Sequence, residues 1–324
     1  MALVTPTTLK PAAAPRSNRM TLAAITRGVI TEPYRLIVHG KDGVGKSSFA
    51  AGAPTPIFLG TEDGTGHLDV ARFPSPETWE DVLDALRTLS EDCGGYKTLV
   101  VDSIDWAEPL LWRNVCKADG VESIELVGGG YGKGYQAALD GWRIFLAEVE
   151  RLQAKQKMHV VLIGHSVIKK FANPEGEDYE RYVLAMHDKA ANLMRQWAKA
   201  VYFANLETFA VAKKKGEKVK GVSTGARLLW TQPSAAFDAK DRYFVPESIS
   251  LNWEDFDAAV RAAAPNDLAS LRSEIERKAK TIGGEVEKFA TDFLAKNGSD
   301  TAALAKLNDR VNAKLAEKRE QEAV

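Results

Sequence analysis

The run Gly40-Lys41-Asp42-Gly43-Val44-Gly45-Lys46-Ser47 has the residue types and spacing of a phosphate-binding loop. Its glycines let successive backbone N–H groups turn inward on phosphate oxygens. Lys46 can then reach the β- and γ-phosphates of a nucleoside triphosphate while Ser47 holds Mg²⁺. Ser48 belongs to the same cradle, at the start of a helix whose N-terminal end favours anions. A ligand-free glycine turn would not need the apolar strand before it, Tyr34 to His39, or the helix opening at Lys46. Binding alone is not hydrolysis, which also requires an acid to organise the metal and a group to position water. Leu99-Val100-Val101-Asp102 is a buried strand ending in an acid, so Asp102 is expected at the carboxyl edge of the sheet as a partner of Mg²⁺. Glu62 follows the strand Pro56 to Gly60 and can polarise an attacking water; Asp63 beside it could do the same. His165 ends the strand Met158 to Gly164, from which it could sense the γ-phosphate. His67 and His187 have no metal-site spacing with any cysteine or acid.

These residues need a sheet to bring them together, and the chain is long enough for one. Its 324 residues, 45% of them hydrophobic, can bury one large core and leave enough for a smaller unit. A formal net charge of −1 excludes coating nucleic acid by bulk charge, so any DNA contact must be focal. Cys93 and Cys116, with no CxxC, fit a reducing compartment rather than a disulfide scaffold. No apolar stretch approaches the ~20 residues that span a bilayer. The expectation is an intracellular, cytoplasmic protein with no membrane partner.

Short apolar runs near 34–39, 56–60, 98–102, 158–164, 200–207 and 226–231 alternate with helical patterns, which predicts an α/β fold with a mainly parallel, twisted sheet flanked by helices. Ser75-Pro76-Glu77 is expected to open a helix whose inner face carries Trp79, Val82, Leu83, Leu86 and Leu89. A longer helix over 135–156 would bury Ala138, Trp142, Phe145, Val149 and Leu152. Residues 1–19 read as a flexible arm rich in Pro, Ala and Thr, residues 20–264 as the core, and residues 265–324 as a small helical appendage. The run Lys213, Lys214, Lys215, Lys218 and Lys220 between apolar segments reads as a hairpin turn.

The order of these motifs resembles the RecA core: the phosphate loop, Thr61-Glu62-Asp63 after a strand, Val100-Val101-Asp102-Ser103-Ile104, a glycine-rich loop before a long helix, then Leu162-Ile163-Gly164-His165-Ser166. More narrowly, Met20-Thr21-Leu22-Ala23-Ala24-Ile25 and Ala239-Lys240-Asp241-Arg242 look like the phage-encoded ATP-binding proteins of the Sak single-strand-annealing group. The resemblance covers about residues 20–262. It implies a RecA-like phosphate-loop ATPase using ATP and Mg²⁺, with Glu62 as the catalytic glutamate and His165 where that family has glutamine. It also implies two loops facing single-stranded DNA. One is Gly128 to Gly134, with Tyr131, Lys133 and neighbouring Tyr135; the other is Ile168 to Ala185, with Lys169, Lys170, Phe171, Arg181 and Tyr182. Lys240 and Arg242 would match a pair that touches the nucleotide of the next subunit, making hydrolysis depend on self-assembly into a ring or filament.

The second loop is suggestive on its residues alone, since interleaved cations and aromatics suit unpaired strands. A solvated hairpin is the alternative. The sequence reading is thus an ATPase that assembles on single-stranded DNA for annealing or strand pairing in a phage-infected host cytoplasm, with a single-strand-binding protein as a further partner. A nucleotide-gated assembly or loading factor without direct DNA contact stays open beside it, as does a helicase-type motor. A small-molecule kinase fits less well, because no arginine-rich lid segment is evident.

Overall fold

A computed structural model describes residues 21–25, 32–174, 176–211, 220–263, 268–297 and 301–322. The described residues group into two units, one of residues 31–265 and the other of residues 266–324 with the segment before 31.

The larger unit is built on a sheet whose strands run β3-β2-β4-β5-β1-β7-β8-β9. These are β1 (Arg35–Gly40), β2 (Pro56–Gly60), β3 (Ala71–Arg72), β4 (Thr98–Asp102), β5 (His159–Phe171), β7 (Ala200–Val211), β8 (Lys220–Trp230) and β9 (Ser248–Ser250). Strands β3, β2, β4, β5, β1 and β7 pair in parallel, while β8 and β9 pair antiparallel at one edge. A parallel sheet must be covered on both faces, and its strands alternate between two apolar layers. Ile37, Leu99, Val101, Val160 and Leu162 face one layer with α2 (Trp79–Glu91), α3 (Ile104–Asp119), α4 (Lys133–Gln156) and α5 (Asp188–Trp197). Leu36, Val38, Val100, Val161 and Ile163 face the other, with α1 (Lys46–Ala51) and α6 (Trp253–Ala263).

The expected inner faces of α2 and α4 are all buried. Trp79 and Trp142 meet edge to face there, with ring centroids 5.0 Å apart. The start of α2 is a correction: Thr78, not Ser75, is its cap. The Thr78 hydroxyl accepts from the Asp81 amide at 3.2 Å, and Asp81 accepts in return from the Thr78 amide at 2.8 Å.

A second correction concerns the stretch after His165. The DNA-facing reading has it leave the sheet as a loop, whereas β5 runs on to Phe171 and β6 (Tyr179–Leu184) pairs with it antiparallel, which is the hairpin of the alternative reading. Val167, Lys169 and Phe171 share one face of this ribbon and Ile168 and Lys170 the other, so strand structure continues beyond the buried run without an apolar/polar alternation to mark it.

In the smaller unit α7 (Leu268–Ile282), α8 (Gly284–Asn297) and α9 (Thr301–Glu322) enclose Ile275, Ala279, Ala290, Leu294, Leu304, Leu307 and Val311. The basic run Lys213, Lys214, Lys215 and Lys218, and the arm over 1–19, lie outside the described residues.

Candidate active site

Strand register decides what meets at the carboxyl edge. Gly40 of β1 stands opposite His165 of β5, and Gly60 of β2 stands opposite Asp102 of β4. Because β5 lies between β1 and β4, the phosphate loop, His165 and Asp102 come from three adjacent strands, and Glu62 follows on the next. This is the edge at which open α/β sheets bind ligands. Asp42, Gly43, Gly45, Lys46, Ser47, Ser48, Glu62, Asp63, Asp102 and His165 line one cleft of about 730 Å³. That lies within the range of small-molecule sites.

Gly43 and Gly45 have φ of 69° and 109°, a left-handed backbone that a side chain would strain. Gly40 and Lys41 open the turn, and their carbonyls accept from the Lys46 ammonium at 3.1 and 3.0 Å. Val44 is buried and pins the loop to the apolar layer beneath. Lys46 itself is 6% exposed. Burial pulls its ammonium down from the ordinary lysine range, against the opposing pull of Asp42 and Asp102.

Asp102 is 2% exposed, and its Oδ1 has no hydrogen-bond partner. Burial raises its pKa, while the Ser47 hydroxyl and the Lys46 charge partly offset that rise. A buried, unpartnered carboxylate oxygen beside a serine hydroxyl at a phosphate loop has donors that fit a magnesium ion.

Thr61 ties the two acids together. Its amide donates to Asp102 O at 2.8 Å, its hydroxyl donates to Ser103 O at 2.6 Å, and it accepts from the Ser103 amide at 2.9 Å. Glu62 therefore leaves β2 at a fixed angle. Its carboxyl is half-buried, and burial raises its pKa against the pull of His165. Asp63 is exposed at the same mouth.

His165 is the hub. Its Nε2 lies 3.5 Å from Asp42 Oδ1 and 3.7 Å from Glu62 Oε1. Behind it, Asp105 at the start of α3 accepts from the His165 amide through Oδ1 and from Nδ1 through Oδ2, both at 2.9 Å. The same hydrogen bonds hold Asp105 below the usual carboxylate range and raise His165, so Nδ1 carries a proton and Nε2 faces the cleft. Asp105 was not singled out from the sequence. An acid in the first turn of the helix after Asp102 was the available signal, but its partner lies 60 residues away.

His39 was also missed. It is fully buried on β1, its Nε2 donates to Asp238 O at 2.9 Å, and its Nδ1 accepts from the Ser166 hydroxyl at 2.9 Å. Burial pushes its pKa down to about 4, which keeps the ring neutral and fixes that tautomer.

The other expected site residues lie apart from this cleft. Lys169, Lys170, Phe171 and Arg181 sit on the β5–β6 ribbon and line a second cleft of about 310 Å³. Lys169 pairs with Asp188 at 2.5 Å, Lys170 with Asp178 at 2.8 Å, and Arg181 lies over the Phe171 ring at 4.1 Å. Tyr182 lies under the Lys41 ammonium, 5.0 Å from ring centroid to nitrogen, and so joins β6 to the phosphate loop. In the glycine loop Tyr131 is fully exposed with φ of 55°, and Lys133 folds back to donate to Gly128 O at 2.8 Å. Tyr135 stacks on His187 with centroids 4.4 Å apart, so its ring is part of the packing.

Lys240 and Arg242 line a third, shallow cleft with Arg195. The Lys240 ammonium donates to Arg195 O at 2.6 Å and Ala198 O at 2.5 Å, closing the C-terminal end of α5. Arg242 is exposed. Asp241 between them accepts from the Tyr202 hydroxyl at 2.7 Å and the Val245 amide at 3.0 Å, which makes it the anchor of this turn.

No helix among the described residues is long and apolar enough to cross a membrane. In comparison with known proteins, the SPbeta prophage-derived uncharacterized protein YorG of Bacillus subtilis (strain 168) is 23% identical over 226 residues. That alignment takes in 68% of this chain and 64% of the relative, so the chain spans less than two thirds of the relative's length. A family model described as an AAA domain matches residues 32–243, from before β1 to just past Arg242. Given that span and the phosphate loop at its centre, the chain belongs to this AAA-domain family of phosphate-loop, nucleotide-binding ATPases.

Proposed function

We propose that this chain is a RecA-like, Mg²⁺-dependent ATPase whose nucleotide state sets its grip on single-stranded DNA, for annealing or strand pairing in phage recombination. The observation that carries the coupling is the continuity of β5. Its middle presents His165 to the nucleotide cleft and its end forms the ribbon with Lys169, Lys170 and Phe171. Lys41 over Tyr182 is a second link between loop and ribbon. The prophage origin of the relative supports the phage setting.

In the reaction a water oxygen attacks the γ-phosphorus, the bond to the bridging oxygen breaks, and ADP and phosphate leave. Glu62 accepts a hydrogen bond from the attacking water and orients it. Lys46 and the loop amides offset phosphate charge, and they do so without reorganising as the reaction proceeds. Ser47 and Asp102 would hold Mg²⁺, which would supply positive charge against the charge developing on the phosphates. His165, held by Asp105, keeps Nε2 between Glu62 and the loop, where it responds to the presence of the γ-phosphate. Arg242, rather than the engaged Lys240, is the better-placed cation to act on a neighbouring copy.

One observation favours the nucleotide-gated assembly or loading factor instead: the ribbon cations Lys169 and Lys170 are already paired with acids of the same chain. Fluorescence anisotropy of a labelled single strand, titrated with protein under ATP analogue and under ADP, separates the two. Tighter binding with the triphosphate supports the DNA reading. Equal or undetectable binding in both states moves the function to the assembly factor.

A further inference from the structure

Glu62, Asp102 and His165 stand on one side of the phosphate loop, because β5, β4 and β2 lie on one side of β1. On the other side the sheet continues through β7 to β8, and from β8 one side chain reaches back: Arg227 lines the same cleft. A Cβ built on Gly45 would lie 3.0 Å from Arg227 Nη1 and 3.7 Å from its Cδ, so the guanidinium covers the outside of the loop at this glycine. The backbone of Arg227 is fixed. It pairs with Leu206 of β7, and its carbonyl accepts from the Leu251 amide at 3.0 Å. The side chain is exposed and, among the described residues, has no carboxylate partner.

A planar guanidinium with several parallel N–H groups is matched to phosphate oxygens, and one held beside a phosphate loop without a carboxylate partner is free to donate to them. Which phosphates it meets follows from the geometry. The γ-phosphate belongs on the side of Glu62, Asp102 and His165, where water is positioned. Gly45 belongs to the part of the loop that cradles the α- and β-phosphates. We propose that Arg227 is a nucleotide-gripping residue acting within its own chain, donating to α- and β-phosphate oxygens from the side of the loop opposite the hydrolytic acids.

This rests on the reading of the loop as a nucleotide site and adds a specificity to it. A cation on the α- and β-phosphates is felt equally by ATP and ADP. It contributes binding that is the same in ground and transition states, so its loss raises KM and leaves kcat nearly unchanged. That separates it from Lys46, which reaches the γ-phosphate, and from any cation supplied by a neighbouring copy.

The test is isothermal titration of the full chain with Mg²⁺-ADP and a non-hydrolysable Mg²⁺-ATP analogue, alongside steady-state turnover. Arg227→Ala is expected to lose about ten- to a hundred-fold in affinity for both nucleotides alike, the range for losing a charge-assisted contact. Arg227→Lys should recover part of that loss. Unchanged affinity in a folded Arg227→Ala overturns the proposal, as does a loss confined to the triphosphate. Should Arg227→Ala fail to fold, Arg227→Gln, which keeps a polar side chain of similar reach, gives the same reading. Failure of the wild-type chain to bind either nucleotide overturns the loop assignment itself, whereas wild-type binding with unaffected Arg227 variants removes Arg227 alone.

Discussion

Glu62 combines half-burial, a raised pKa and a histidine at its shoulder, and these decide its chemistry. Only an ionised Glu62 can draw a proton from the attacking water, so turnover should fall as pH drops through a value above the ordinary 4.5. Glu62→Gln should keep ATP affinity while turnover falls about 10²- to 10⁴-fold and that acid limb disappears, as measured by a pH–rate profile. Lys46→Ala should lose nucleotide binding altogether in the same assay. The His165–Asp105 pair makes a separate prediction for stability. The folded His165 pKa is raised, so its contribution is complete below 6.5 and fades as pH rises through the folded value. The folded Asp105 pKa is lowered, so its contribution is present above 3.8 and fades as pH falls through the folded value. Denaturant melts of wild type and Asp105→Asn should therefore differ most between about pH 4 and 6.5, by about 1–3 kcal/mol. Asp102 was legible at the cleft because it ends an apolar run, and Glu62 because it follows one by two residues, positions that bring a side chain to the ligand edge. Asp105, His39 and Arg227 were not, since each acquires its role from a partner brought in by strand pairing far along the chain.

Helices α2 and α4 were readable because their apolar residues recur at helical spacing, and that face is what packs on the sheet. The cap of α2 was not. Both Ser75 and Thr78 can cap, and the choice fell to Thr78 because an acid stands three residues after it. Thr78→Ala should cost about 1 kcal/mol in chemical denaturation without changing nucleotide affinity. The β5–β6 ribbon was legible only as the hairpin alternative to a DNA-facing loop: Lys169, Lys170 and Arg181 look like a solvated loop, whereas strand continuation only requires that side chains alternate. Its cations are paired in the absence of nucleic acid, so DNA binding would exchange Asp188 and Asp178 for phosphates. The double substitution Lys169→Ala and Lys170→Ala should weaken single-strand binding and reduce the slope of log K against log salt by about 1.4, or about 0.7 per phosphate contact. An unchanged slope would move the DNA contact elsewhere.

At the scale of the whole chain, a near-neutral balance of charge leaves nucleotide and DNA recognition to local geometry rather than to a general field. The larger unit carries the phosphate loop, both acids, His165 and Arg227, so a chain ending at Pro265 should still bind nucleotide. The helices after 266, read from the sequence only as a small helical appendage, enclose an apolar centre of their own, but nothing in their mixed Lys and Glu surface specifies a partner. The central claim is that hydrolysis at this site is coupled to single-stranded DNA. The direct measurement is Mg²⁺-dependent ATP turnover against protein concentration, with single-stranded DNA, with duplex DNA and with neither. The account predicts turnover that rises with concentration and with single strands, is little changed by duplex, and vanishes in Lys46→Ala. Turnover that is absent, or that is the same with and without single strands at every concentration, would contradict it.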